Sequence, residues 1–205
     1  YRYVALTLTR FAAVSDCRLP SGETTTVAAW IAAHERERWA QWKCAVITAA
    51  VQTLAEAARA AHAPTHVMLN TLPFAPDDWD NARVEVFGQD VQALSAVIDA
   101  FEVMTYHQIL MRPVGWIGRQ GQQVKQATGK PTFCTIQAAP LYLNGMHAAE
   151  GRNEKLEADE FVQAVQAARQ AGVDGVVVFT LSDLLREALS AGDMRRLNAL
   201  WAAKG

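Results

Sequence analysis

The side chains in this sequence best equipped for chemistry follow apolar runs. Thr9 and Arg10 follow YVALTL, Asn70 and Thr71 follow HVML, and Tyr106 and His107 follow FEVMT. Gln137 follows PTFCTI, and Ser182 and Asp183 follow GVVVFTL. Guanidinium, amide, phenol and imidazole groups supply the donors and acceptors that read hydroxyl-rich ligands. Asp183 is the carboxylate placed directly at such an end. Asp77, Asp78 and Asp80 lie in the turn after the run that ends at Phe74, beside Trp79, whose ring face suits a sugar. Asp183 and Asp78 are therefore the candidate acid/base groups, with His107 assisting proton transfer. Arg10, Asn70, Trp79, Tyr106 and Gln137 are the candidate substrate-binding groups. Each also has a plainer reading. Polar residues begin loops, Asp and Ser cap helices, and Trp79 can cover a rim. Glu102 falls at the start of its run, where structural pairing is expected of it.

Other constellations are missing from the sequence. The five histidines (34, 62, 66, 107 and 147) show neither HExxH nor HxH spacing, so no metal site is expected. Cys17, Cys44 and Cys134 are far apart and form no CxxC pair, which points to free thiols. There is no GxSxG elbow, no GxGxxG turn and no P-loop, so neither a serine hydrolase nor a nucleotide cofactor is expected. No lysine ends an apolar run, which weakens an aldolase or isomerase.

The elements that must position these groups alternate. Residues 2–11 read as a strand, and a long helix is expected from about Thr24 to Ala61 with Val27, Trp30, Ile31, Trp42, Val46 and Leu54 as its apolar stripe. HVMLNTLPF is a second strand, followed by one helix carrying Val84, Phe87, Val91, Leu94 and Ile98 at helical spacing. FEVMTYH is a third strand, and a helix from Pro113 stops at Gly129. PTFCTIQAAP is a fourth strand, followed by the loop LYLNGMHAAEGRNEK and a helix over about 158–171. GVDGVVVFTLSDL is a fifth strand, and the remainder is helical to Trp201. Unbroken apolar strands alternating with helices predict an α/β fold with a parallel sheet, in which ligands sit at the strands' C-terminal ends. With no Gly-rich first turn, a (β/α)8 TIM-barrel type fits better than a doubly wound sheet. About five parallel strands in 205 residues make it a partial barrel, read as a single α/β domain over 1–205.

Composition narrows the partners. With 51% hydrophobic residues, 20% charged residues and a formal net charge of −2, the chain is a globular protein with no electrostatic case for nucleic acid. No apolar run is long enough to span a bilayer, so no membrane partner is expected. The chain begins at Tyr1 directly in an expected strand, so further sequence upstream is expected, and the compartment stays open. Sheet edges in a partial barrel need covering, which predicts self-association or an N-terminal half supplied from elsewhere.

Three stretches carry a resemblance. GQDVQALSAVIDAFEVMTYH resembles the helix and sixth strand of chitinase-like barrels, where Met104 and Tyr106 match a Met-x-Tyr-Asp pattern and His107 replaces the aspartate. DGVVVFTLSDL resembles their eighth strand and its exit, and WAQWKCAVITAAVQTL with HVMLNTLPF resembles the fourth helix and fifth strand. The chain is thus similar to the C-terminal half of the glycoside-hydrolase-like (β/α)8 proteins, bacterial glycosidase-like barrels distantly similar to the family 18 chitinase-like barrels. The resemblance makes YVALTLTRF the fourth strand, with Thr7 at its acidic position, and it implies a carbohydrate ligand and no cofactor. Glycoside hydrolysis calls for two carboxyl groups. Two functions are therefore expected to compete: a glycoside hydrolase working through strand-end carboxylates, and a non-catalytic glycan-binding or structural barrel that has lost the acid at Thr7.

Overall fold

The computed structural model describes residues 4–140 and 155–202. The loop after the fourth expected strand, including His147, and the start of the first expected strand lie outside these residues. The chain forms two compact units: Tyr1–Ala63 with Phe74–Val97, and Pro64–Pro73 with Ile98–Gly205.

In the first unit, α1 (Ala5–Ser15) occupies the segment expected to be a strand. The sequence alternates Leu6, Thr7, Leu8 and Thr9 as a strand would, but burial decides otherwise. Phe11 is fully buried against Trp39 and Trp42, with ring centroids 4.9 and 5.7 Å away, and Leu8 packs on the same cluster. That contact outweighs the local β preference of the threonines. Thr9 Oγ1 and Ser15 Oγ donate back to the carbonyls of Ala5 and Phe11, as helical hydroxyls do. The expected long helix is divided at Glu35 (φ −133, ψ 19) into α2 (Thr24–His34) and α3 (Arg36–Ala61). Val27 and Ile31 are buried as expected, whereas Leu54 is 71% exposed and Lys43 and Cys44 take the inward positions of α3.

The single helix expected after residue 82 is likewise two short ones, α4 (Ala82–Glu85) and α5 (Val91–Ser95). Gly88 lies between them at φ 66, where an added Cβ would meet the Lys43 backbone at 3.2 Å. Asp90 restarts the chain as an N-cap, accepting from the amides of Gln92 and Ala93 at 2.9 and 3.3 Å.

The second unit carries the sheet: β1 (Met68–Thr71), β2 (Ala100–Val103), β3 (Thr132–Gln137) and β4 (Gly175–Phe179). All pair in parallel in the order β1-β2-β3-β4. There are four strands among the described residues rather than five, because the first expected strand is α1. The helices of this unit are α6 (Gly115–Thr128), α7 (Ala158–Gln170), α8 (Leu181–Ala191) and α9 (Arg195–Ala202). Strand order equals chain order among the described residues, with no switch point where the order reverses, which is compatible with a barrel-type winding.

Side-chain parity divides the sheet. Cys134 and Ile136, with Val176 and Val178 opposite them in register, pack into the core made by Trp116, Ile117, Phe161, Ala164 and Val165. Two glycines let α6 sit close. An added Cβ on Gly118 would lie 2.3 Å from the Ala167 carbonyl oxygen of α7, and one on Gly121 would lie 2.5 Å from Cys134 Sγ. The register places Asn70, Glu102, Phe133 and Gly175 in one row of the opposite face, with Thr135 and Val177, then Gln137 and Phe179, beyond them. This second face is open at its margins, where Met68 is 47% and Phe179 44% exposed. It is called the inner face below.

Candidate functional site

The strand-end groups of the second unit take different surroundings. Gln137 is the last residue of β3 and fully buried. Asn70 is exposed, third in β1. After β2 the chain tightens through two three-residue turns, with the amides of Thr105 and Tyr106 donating to the carbonyls of Val103 and Met104 at 2.9 and 3.0 Å. Tyr106 emerges half-buried beside Phe179 at the end of β4, their ring centroids 5.7 Å apart. Burial, and then the negative charge of Glu102, push the Tyr106 phenol above its ordinary pKa, so it remains a hydrogen-bond donor through neutral pH.

His107 and Gln108 turn away into a buried network. Glu160, in the first turn of α7, lies 2.9 Å from His107 Nε2 and accepts from Gln108 Nε2 through both oxygens at 3.2 and 3.1 Å. Gln108 Oε1 in turn accepts from Gln137 Nε2 at 3.1 Å, and Gln137 Nε2 also reaches the Ala139 carbonyl. With Nε2 engaged by the carboxylate, Nδ1 is the remaining ring nitrogen of His107. That nitrogen and Gln137 Oε1 are buried without a partner among the described residues. The chain Gln137–Gln108–Glu160–His107 locks the exits of β2 and β3 to the start of α7. It fixes positions with little freedom of rotation, because the Gln108 amide and the Glu160 carboxylate are each held at both ends.

Asp183 lies where a helix begins. Thr180 caps α8, accepting from the Asp183 amide at 3.2 Å and donating from its hydroxyl to Asp183 Oδ2 at 2.7 Å. Arg186 pairs with Oδ1 at 2.9 Å. Both carboxylate oxygens are therefore engaged, and the peptide before Thr180 is cis.

Three further candidates belong to the first unit. Arg10 is exposed on α1 rather than at a strand end, and Thr7 lies on the same helix, which removes the strand-end argument for both. Asp78 and Trp79 follow Phe74 in a turn where Trp79, Asp80 and Asn81 all have positive φ. Asp78 Oδ2 accepts from the Ala75 amide at 3.2 Å, and Trp79 stacks edge-on against Phe74 at 4.8 Å while remaining 55% exposed.

Two carboxylates escape the sequence reading. Glu160 sits in EADEFVQAV as one of several acids in a helix's first turn, with no sequence signal that marks its contact to His107. Glu102 has a signal, since it breaks the apolar alternation of Phe101 and Val103 and so faces the other side of the sheet. It is expected at the foot of a strand running to His107. The strand ends at Val103, which makes Glu102 its penultimate residue. Thr135 Oγ1 donates to Glu102 Oε1 at 2.6 Å. No group of three or more metal-ligating side chains occurs among the described residues, and no helix among them is long and apolar enough to cross a membrane.

Comparison with known proteins separates fold from sequence. No family model matches the chain, and no curated protein matches it. Among solved structures, the chain is similar to the glycoside hydrolase domain of PgaB (BpsB) from Bordetella bronchiseptica, with a TM-score of 0.65 at 15% identity, over 94% of this chain and 51% of that one. It also aligns with a putative alpha-L-fucosidase from Bacteroides thetaiotaomicron VPI-5482, with a TM-score of 0.47 at 10% identity, over 74% of this chain and 52% of that one. The chain thus spans about half the length of the solved structures it matches. At these identities the likeness is one of fold: an α/β chain of glycoside-hydrolase-like architecture.

Proposed function

We propose that this chain is the C-terminal βα portion of a (β/α)8 barrel that acts on a poly- or oligosaccharide, binding it across the C-terminal ends of its strands. The observation that carries the reading is the inner face. The sheet, with its strands in sequential order, has Asn70 and Phe179 exposed and Tyr106 half-buried beside Phe179, which supports a face that offers hydrogen-bonding groups next to aromatic rings. The fold likeness to a glycoside hydrolase domain and the Met104-x-Tyr106 match to chitinase-like barrels support the same ligand class. An open inner face and two sheet edges with no partner strand among the described residues are what closure by further parallel strands would cover.

In the hydrolytic form of the proposal, Asp183 protonates or deprotonates at the scissile bond and His107, oriented by Glu160, assists proton transfer. Asn70, Tyr106 and Gln137 hold the sugar, and the second carboxyl group comes from the strands that close the barrel. The test is release of reducing ends from a polysaccharide panel by the full-length protein. Asp183→Asn is expected to abolish turnover with the fold retained, and retained turnover removes Asp183 from the mechanism.

A second reading has its own observation. Both oxygens of Asp183 are taken by Thr180 and Arg186, which suits a structural cap better than a proton donor. On this reading the barrel binds glycans without cleaving them. A sugar titration showing binding with no release of reducing ends selects it.

A further inference from the structure

The first unit holds a cavity that the carbohydrate reading does not use. It has a volume of about 670 Å³, within the range of small-molecule sites, and lies between α3 and the α4–α5 segment. Glu37, Gln41, Cys44, Thr48 and Gln52 recur along its α3 wall at three- and four-residue spacing. The cavity is therefore a groove that follows one helix face for roughly 22 Å. Glu85 and Asp90 belong to the facing wall, and Ala45 and Ala49 supply apolar surface.

Three carboxylates line the groove, and no Lys, Arg or His does. Glu37 accepts from Gln41 Nε2 at 3.0 Å and Asp90 from the amides that it caps; neither forms an ion pair among the described residues. Arg36 reaches Glu85 Oε2 at 3.2 Å with its own side chain 54% exposed, and Arg83 senses the charge of Asp90 without pairing to it. In the second unit, by contrast, Asp159, Asp174, Asp183 and Glu187 each pair with an Arg or Lys. Contacts also order the charges along the groove. Glu85 meets Arg36 at the start of α3, whereas the Asp90 backbone hydrogen-bonds the Cys44 thiol. Negative charge is thus spread over about two turns of α3, roughly 10 Å.

One turn further on, Thr48 lines the groove with its hydroxyl oxygen buried and without a partner among the described residues. Thr9, Thr53 and Thr128 instead donate to the carbonyl four residues earlier, at 2.9, 2.9 and 2.8 Å. A buried hydroxyl left unbonded is costly, and a donor on a ligand would engage its oxygen. No group of three metal-ligating side chains occurs among the described residues, so the charge suits an organic cation better than a metal ion.

We propose that this groove binds a linear polyamine. Its ammonium groups meet Glu37, Glu85 and Asp90, its methylenes lie on Ala45 and Ala49, and one N–H donates to Thr48 Oγ1. The proposal is independent of the carbohydrate reading.

The test is calorimetric titration of the full-length protein with spermidine, comparing the unmodified protein with Asp90→Asn, Thr48→Val and Ala49→Phe, each checked by circular dichroism. Asp90→Asn keeps a helix-capping side chain and removes the charge, and is expected to weaken binding about tenfold. Thr48→Val is expected to weaken binding about threefold or more while raising the melting temperature of the ligand-free protein, because the unbonded hydroxyl is gone. A threonine with a merely structural role would not split the two readouts in this way. Ala49→Phe fills the groove with every charge retained and is expected to abolish binding. Absence of spermidine binding at millimolar concentration overturns the proposal, as does unchanged affinity in Asp90→Asn or Thr48→Val. Binding that survives Ala49→Phe shows diffuse attraction to surface carboxylates and overturns it as well.

Discussion

Removing Glu160 should cost more stability than its place on a helix's first turn suggests. The carboxylate serves two buried donors. His107 is 1% exposed and Gln108 8% exposed, so neither reaches bulk water while Glu160 is in place. A buried donor left unsatisfied costs about 1–3 kcal/mol. Glu160 itself has 24% of its side chain exposed, so water can enter the vacated space and bring the total for two donors to about 2–4 kcal/mol. For a chain of this size that corresponds to a fall in melting temperature of roughly 5–15 °C. Glu160→Gln separates the two donors, because one carbonyl oxygen remains to accept from His107 while the new amide faces the Gln108 amide. It should lose about 1–2 kcal/mol. Urea denaturation followed by circular dichroism gives the order unmodified > Glu160→Gln > Glu160→Ala. A Glu160→Ala variant within about 0.5 kcal/mol of the unmodified protein, the range of an ordinary surface change, would show that the network does not hold the strand ends.

Other consequences follow from particular contacts. Gly118→Ala should destabilise by about 1–3 kcal/mol, because its Cβ would press on the Ala167 carbonyl oxygen. Gly115→Ala, in the same helix with nothing within 4 Å, should be neutral or gain up to about 1 kcal/mol; thermal melts of the pair test the close approach of α6 to α7. Burial raises Asp174, but the Thr132 amide and Lys125 outweigh it and hold the carboxyl below its ordinary value of 3.8. Its stabilising contribution is therefore full above that value and lost as pH falls through the lower folded value. The stability gap between the unmodified protein and Asp174→Asn should close on acidification, as denaturation at stepped pH will show. Burial lifts the Cys134 thiol to about 12, so iodoacetamide mass spectrometry should find Cys17 labelled in the native protein and Cys134 labelled only after unfolding. Light scattering should show self-association if a second copy covers the open sheet edges, and a monodisperse monomer would argue against that.

The sequence makes its parallel strands legible because each lies in a mainly apolar run bounded by turn residues, and Gln137 ends β3 while Asn70 is third of four in β1. It misleads at α1, where the alternation around Thr7 mimics a strand and the deciding contact, Phe11 against Trp39 and Trp42, joins residues far apart in the chain. It merges α4 with α5 because apolar spacing continues across Gly88, whose positive φ is set by packing on Lys43. The site is legible as a set of strand ends but not as a network. Nothing local links His107 to Glu160, 53 residues away. Glu102 is misplaced because the strand is read four residues too long at its end, which turns a penultimate position into the second of seven.

The location of the ligand is the claim on which the account turns. Hydrogen exchange of the full-length protein, measured with and without saturating chitohexaose, reads it directly. The account predicts protection at residues 102–108, 135–139 and 177–183, the ends of β2, β3 and β4. Protection confined to other segments, or no change anywhere, would contradict it.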